Sequence, residues 1–293
     1  MNHTIENEFL RVTASEQGAQ LQSVLGADGT QYLWQGDSRY WPDRALNIFP
    51  YVARLNQGIY YLDGKQYHMD IHGLAPYCRF RLAEKTPCRM VLELRSDEQT
   101  YACYPRHFTF RIGYTLAENV LEVEFVVENR DGRTMYFGLG GHPGFNIPLT
   151  ARERFEDYRL RFSRPCRPRR VIFSANALRT GEDVPYPLEQ ERGISLRHEL
   201  FDNDAIVLMD ADREVTLESV SGSRSVTVAF PDAPYVGFWH WPKTDAPYVC
   251  VEPWYSLPSA EGEITVLEEK EDLLRLEAGK TYRTAWSIRV NTK

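Results

Sequence analysis

The residues best suited to chemistry lie in four short stretches. In Tyr248-Val249-Cys250-Val251-Glu252-Pro253-Trp254-Tyr255 a carboxylate interrupts an apolar, β-branched run and is followed at once by a proline and two aromatics. A glutamate in such surroundings is either ion-paired or pushed up in pKa, and a carboxylate of raised pKa makes a general base. In Gly138-Leu139-Gly140-Gly141-His142-Pro143-Gly144-Phe145-Asn146-Ile147-Pro148 a histidine stands among four glycines and next to a proline. Glycines let a backbone approach a ligand closely, while the proline fixes one dihedral beside the imidazole. The same composition also suits a tight turn with a solvated histidine. A second histidine, His72, precedes a glycine in Met69-Asp70-Ile71-His72-Gly73-Leu74-Ala75, where it can project into a cleft or serve as an ordinary loop residue. Arg54 interrupts the apolar run Asn47–Asn56, a setting in which a guanidinium needs a partner. It can bind vicinal hydroxyls or a carboxylate, or form a structural salt bridge.

Other chemistries lack their signatures. No G-x-S-x-G is present, so there is no nucleophile elbow. The glycines at 138–144 do not end in G-K-[ST] and follow no βαβ pattern. H-E-x-x-H is also missing, which leaves a metal site only as a gathering of His72, His142, His240 and Glu252.

Strands must position these groups. Phe108, Phe110, Ile112 and Tyr114 alternate with Thr109, Arg111 and Gly113, and Leu121, Val123, Phe125 and Val127 with Glu122, Glu124 and Val126. The same period of two runs through Tyr158–Phe162, Val226–Phe230 and Trp286–Val290. Strict alternation predicts half-buried antiparallel strands. Turn signals separate them at Ala27-Asp28-Gly29, Leu62-Asp63-Gly64, Arg130-Asp131-Gly132 and Ser221-Gly222-Ser223. Helical periodicity is scarce; Glu268 to Leu276 suits a turn or two. The proline-rich segments 164–190 and 231–248 read as loops. With no linker or repeat, the pattern predicts one all-β domain over residues 1–293, a large antiparallel sandwich or closed barrel.

Composition narrows the partners. A net charge of −7 argues against nucleic acid, despite the basic run at Arg164–Arg170. The first eight residues show no signal-peptide pattern, and no apolar run reaches the roughly eighteen residues a spanning helix needs. The five cysteines are scattered, without a C-x-x-C pair, which suits a reducing cytoplasm better than a disulfide framework.

Together the stretches resemble the aldose 1-epimerase (galactose mutarotase-like) superfamily. The resemblance rests on Phe49-Pro50-Tyr51-Val52-Ala53-Arg54-Leu55, His72-Gly73, Gly140-Gly141-His142-Pro143-Gly144-Phe145-Asn146-Ile147-Pro148-Leu149 and Val251-Glu252-Pro253-Trp254. It extends to Ile5–Leu10, Gly18–Ser23, Tyr32–Asp37 and Tyr40-Trp41, and within the superfamily the chain is most similar to the LacX-like branch. The resemblance implies a large β-supersandwich with a sugar cleft and neither metal nor cofactor. It also implies His142 as general acid, Glu252 as general base, His72 as a second histidine at the ring oxygen, and Arg54 and Asp204 as binders of sugar hydroxyls. Phe145, Trp239 and Trp254 offer aromatic faces that could stack on the sugar or belong to the core. The expected partner is a small-molecule sugar, with no nucleic acid or membrane, and the chain is expected as a monomer or homodimer.

Anomer exchange fits these residue types. A hemiacetal opens when a base takes the C1 hydroxyl proton and an acid protonates the ring oxygen; it recloses on the other face with the roles reversed. Two departures from the family wording bear on the sugar bound. Pro76 stands where relatives tend to have arginine after His-Gly-x-Ala, and Ser256 where they tend to have glycine after Glu-Pro-Trp-x. Rival readings are a sugar-binding protein without turnover, a two-carboxylate glycosidase using Glu252 and Asp204, and a metal-dependent isomerase on His72, His142 and His240.

Overall fold

The computed structural model describes residues 1–219 and 222–292, and almost all of its regular structure is strand. Two large antiparallel sheets dominate. One has nine strands in the order Gly193–Ser195, Tyr158–Phe162, Glu214–Ser219, Arg224–Ala229, Thr281–Thr292, Val120–Asn129, Phe108–Ala117, Arg89–Arg95, Arg81–Lys85. The other has seven, in the order Arg179–Pro185, Arg169–Phe173, Ile206–Met209, Tyr235–Trp239, Tyr248–Trp254, Gly140–Asn146, Ala45–Ile48. Three smaller sheets of two or three strands complete the fold. No helix among the described residues is long and apolar enough to cross a membrane.

Alternation sorts the side chains as the period of two requires. Phe108, Phe110, Ile112, Leu121, Val123 and Phe125 from the nine-stranded sheet join one apolar core with Val236, Phe238, Val249 and Val251 from the seven-stranded sheet. The intervening residues of the seven-stranded sheet face the other way. Ile48, Val207 and Trp254 form one small apolar cluster there, and Tyr248 and Cys250 another with Trp34 and Trp41. Glu252 lies on this second face, between the two clusters.

Several elements differ from the sequence expectation. The run Gly140–Asn146, whose composition left a tight turn open, is a strand flanked by Tyr248–Trp254 and Ala45–Ile48. Gly141 is required there by packing, because a Cβ would sit 2.6 Å from Trp286 Cζ2. The proline-rich segments hold Arg169–Phe173, Arg179–Pro185 and Tyr235–Trp239 as strands. Their prolines mostly flank these strands, and Pro185 closes an edge strand, where a missing N–H costs no ladder bond. Glu268–Leu276 is not helical beyond the 3₁₀ turn Leu267–Glu269; Leu274–Leu276 pairs instead with Met135–Phe137. One short α-helix, Glu98–Cys103, was not anticipated, and it is held by a capping box between Asp97 and Thr100. The turn expected at Ser221-Gly222-Ser223 lies in part outside the described residues, since it includes Ser221.

Candidate active site

The site begins with two prolines in neighbouring strands. Pro143 and Pro253 have no N–H to donate, and the ladder between their strands passes from Gly140↔Trp254 to Gly144↔Cys250 without partners in between. That register sets His142 opposite Glu252. On the other flank Glu252 faces Gly237, which has no side chain to fill the space beside the carboxyl. His142 Nε2 and Glu252 Oε2 are 3.3 Å apart, at 7% and 1% exposure. The Trp254 indole N–H donates to the same Glu252 oxygen at 3.1 Å.

No arginine or lysine reaches Glu252 among the described residues. Burial therefore pushes its carboxyl well above the usual range; the Trp254 N–H opposes that shift and Asp204 adds to it. Burial also drives His142 well below the ordinary histidine value, and neighbouring His72 reinforces the effect. The two opposed shifts favour the neutral pair, carboxyl beside imidazole, over the ion pair.

His72 reaches the same place from a strained loop. It has φ +65°, Ala53 has φ +54°, Ala177 has φ +56° and Asp204 has φ +71°, so four non-glycine residues in the left-handed region surround one cavity. Gly73 follows His72 because a Cβ there would lie 2.3 Å from the Phe49 carbonyl oxygen, which accepts from the N–H groups of Leu74 and Ala75. His72 N–H donates to the Ala53 carbonyl at 2.9 Å, and Ala53 N–H returns a bond to His72 Nδ1 at 3.3 Å. An Nδ1 that accepts leaves the proton on Nε2. Burial, with Arg54 contributing, lowers the His72 pKa to about 3, so this imidazole stays a neutral donor. Its ring stands perpendicular to that of His142, with centroids 5.2 Å apart.

These groups line a cavity of ≈ 240 Å³. Of the residues singled out in the sequence, Arg54, His72, His142, Asp204, Trp239, Glu252 and Trp254 all border it. Phe145 does not. Three positions along the strand from His142, it points to the opposite face and is fully buried in the main core, so it is no sugar platform. Arg54 is exposed at the cavity and makes no side-chain ion pair or hydrogen bond among the described residues, which removes its structural salt-bridge alternative. His240 lies outside the cavity, with its Nε2 3.2 Å from His198 Nδ1 and its Nδ1 2.8 Å from the Trp241 carbonyl oxygen. A metal centre on His72, His142 and His240 is therefore not assembled.

Sequence reasoning missed Trp41, Asp43, Tyr77, Phe173 and Trp241 as cavity walls. Trp41 lies 4.8 Å from the His142 ring and Trp239 meets it edge-on at 5.5 Å. Trp241 shares the strand parity of Trp239, which was the available signal. Pro76 and Ser256 do not border the cavity. Pro76 is buried in a 3₁₀ turn, and Ser256 is fully buried beside the Lys270–Asp272 ion pair.

A family model described as "Aldose 1-epimerase" matches residues 1–271. The protein LacX (chromosomal) of Lactococcus lactis subsp. lactis is 29% identical over 299 residues, covering 99% of both chains. Among solved structures, the galactose mutarotase related enzyme of Lactobacillus acidophilus superposes with a TM-score of 0.94 at 33% identity, covering 100% of each chain. A galactose mutarotase-like protein of Lactobacillus casei does so with a TM-score of 0.93 at 30% identity, covering 99% of this chain and 100% of its own.

Proposed function

The chain belongs to the aldose 1-epimerase family, and from that footing we propose that it interconverts the α and β anomers of an aldose by acid–base ring opening and closure. The observation that carries this reading is the His142–Glu252 pair, 3.3 Å apart, buried and without a counter-cation among the described residues, at the floor of a sugar-sized cavity.

One proton shared by two groups is what anomer exchange requires. In one direction the base takes the proton of the C1 hydroxyl while the acid protonates the ring oxygen; closure on the other face returns both. Hydroxyls of a bound sugar can solvate the ionic form, Glu252 carboxylate with His142 imidazolium, in which Glu252 acts as base and His142 as acid. His72 contributes differently. Held neutral with its proton on Nε2, it serves as a hydrogen-bond donor toward the ring oxygen rather than as a proton store. Arg54 and Asp204 remain available for sugar hydroxyls, and Trp41 and Trp239 wall the floor around His142. The intermediate is a neutral open-chain aldehyde, so the scheme uses only these side chains.

The test follows the anomeric NMR signals of freshly dissolved α-D-galactose and α-D-glucose. The wild type is expected to speed equilibration, and Glu252→Gln and His142→Ala are each expected to lose about 10²–10⁴-fold of that acceleration. Sugar binding that survives Glu252→Gln, with no anomer exchange by the wild type, would replace this reading with that of a binding protein.

A further inference from the structure

One buried group beside the pair has no part in this scheme. Cys250 precedes Glu252 by two residues on the same strand, so its thiol falls on the same face. An imidazole nitrogen of His142, the Cys250 Sγ and a Glu252 carboxylate oxygen all lie within 4.8 Å of one another, and all three residues are buried. We propose that His142, Cys250 and Glu252 form an inhibitory site for a borderline-soft divalent cation, with zinc as the type case.

The donor set is a nitrogen, a sulfur and an oxygen, the mixture zinc accepts at about 2.0–2.3 Å in tetrahedral geometry. Those lengths put neighbouring donors roughly 3.3–3.8 Å apart. His142 Nε2 and Glu252 Oε2 already stand at 3.3 Å, and the whole donor set spans no more than 4.8 Å. The cavity bordered by His142 and Glu252 supplies an entry path and an open fourth position for water.

The same surroundings argue for a visiting ion rather than a resident one. Resident zinc histidines donate their second ring nitrogen to an acceptor, whereas His142 Nδ1 is buried and has no side-chain partner among the described residues. A thiol and a carboxyl must also give up their protons before they can ligate zinc. Binding must therefore break one S–H and one O–H bond, release both protons to solvent, and form Zn–S, Zn–O and Zn–N bonds. That cost keeps the site empty until the free cation rises. The inhibitory consequence rests on the proposed acid–base reading: an ion on the lone pairs of His142 and Glu252 stops proton exchange with the sugar.

Two measurements on the full chain test it, each with wild type, Cys250→Ala and Cys250→Ser. In the first, zinc chloride is titrated into the anomer-exchange assay. Both variants are expected to keep the zinc-free rate and to raise the half-inhibitory zinc concentration at least about 10-fold. In the second, cobalt chloride replaces zinc, and a thiolate-to-cobalt charge-transfer band is expected in the wild type and absent from both variants. The other four cysteines remain in the variants and so serve as an internal control. Equal zinc sensitivity in all three proteins, or a cobalt band that survives loss of Cys250, would overturn the proposal. If the wild type shows no anomer exchange, the cobalt band still decides the metal site separately from the function.

Discussion

Two glutamates in this protein expose almost equally little surface and are shifted in opposite directions. Glu93, in the middle of Arg89–Arg95 on the nine-stranded sheet, is 3% exposed; Glu252, near the end of Tyr248–Trp254 on the seven-stranded sheet, is 1% exposed. Burial pushes both carboxyls up. Around Glu93 that push is outweighed by three arginines, since Arg111 reaches it at 2.6 Å, Arg95 at 2.8 Å and Arg81 also pairs with it, and its pKa ends below the ordinary value. Around Glu252 stand an indole N–H and a neutral imidazole, and its pKa ends well above. Glu93 is covered by arginines that are themselves open to solvent, Arg81 and Arg95 among them, whereas Glu252 is enclosed by apolar and neutral groups. Enclosure and partners together decide whether a carboxylate is a structural salt or a movable proton, and each sheet supplies a different combination.

The contrast can be broken from either side through stability. Glu252 holds its proton more tightly folded than unfolded, so its contribution is fully present below the unfolded pKa near 4.5 and is lost as pH rises through the folded value. Glu252→Gln removes that loss, and its melting temperature is expected to gain on the wild type as pH is raised from 5 toward 9. Glu93 behaves in reverse. Its folded pKa is depressed, so its contribution is present above about 4.5 and disappears as pH falls through the folded value. Glu93→Gln is expected to cost roughly 1.5–3 kcal/mol at pH 7, with the deficit closing in acid and the specific activity of the folded fraction unchanged. Calorimetric scans of the two variants at several pH values would therefore show opposite slopes; parallel slopes would remove the distinction.

A smaller effect sharpens the same comparison. Trp254→Phe keeps the wall of the cavity but removes the only side-chain N–H donor held on the Glu252 carboxyl among the described residues. The indole lowers the Glu252 pKa, so its loss is expected to raise the pH at which kcat responds to that group. It should also cut kcat about 10-fold with KM little changed. A change confined to KM would mean that Trp254 acts as a sugar platform instead.

Much of this was legible in the sequence, for physical reasons that can be named. Glu252 betrayed itself as a charge in a β-branched run, and five strands of the nine-stranded sheet as unbroken alternation. His142 and His72 were marked by glycines that packing against Trp286 and the Phe49 carbonyl turns out to require. What failed to show was register. The glycines and Pro143 left a turn open for Gly140–Asn146, which hid both the His142–Glu252 pairing and the inward aim of Phe145. Arg54 sits in an apolar run yet points out at the cavity, because Ala53 takes a left-handed turn that periodicity does not reveal. Trp41 reaches the site from a segment distant in the chain, where only three-dimensional closure brings it to the wall that Trp239 and Trp241 share.

The central claim is that the fold keeps one carboxyl protonated at neutral pH, beside an imidazole that can take the proton. Infrared difference spectroscopy of wild type minus Glu252→Gln at pH 7 reads that state directly. The account predicts a protonated-carboxyl C=O stretch in the wild type that is missing from Glu252→Gln. A difference spectrum showing only carboxylate bands would contradict it, placing Glu252 in the same class as Glu93.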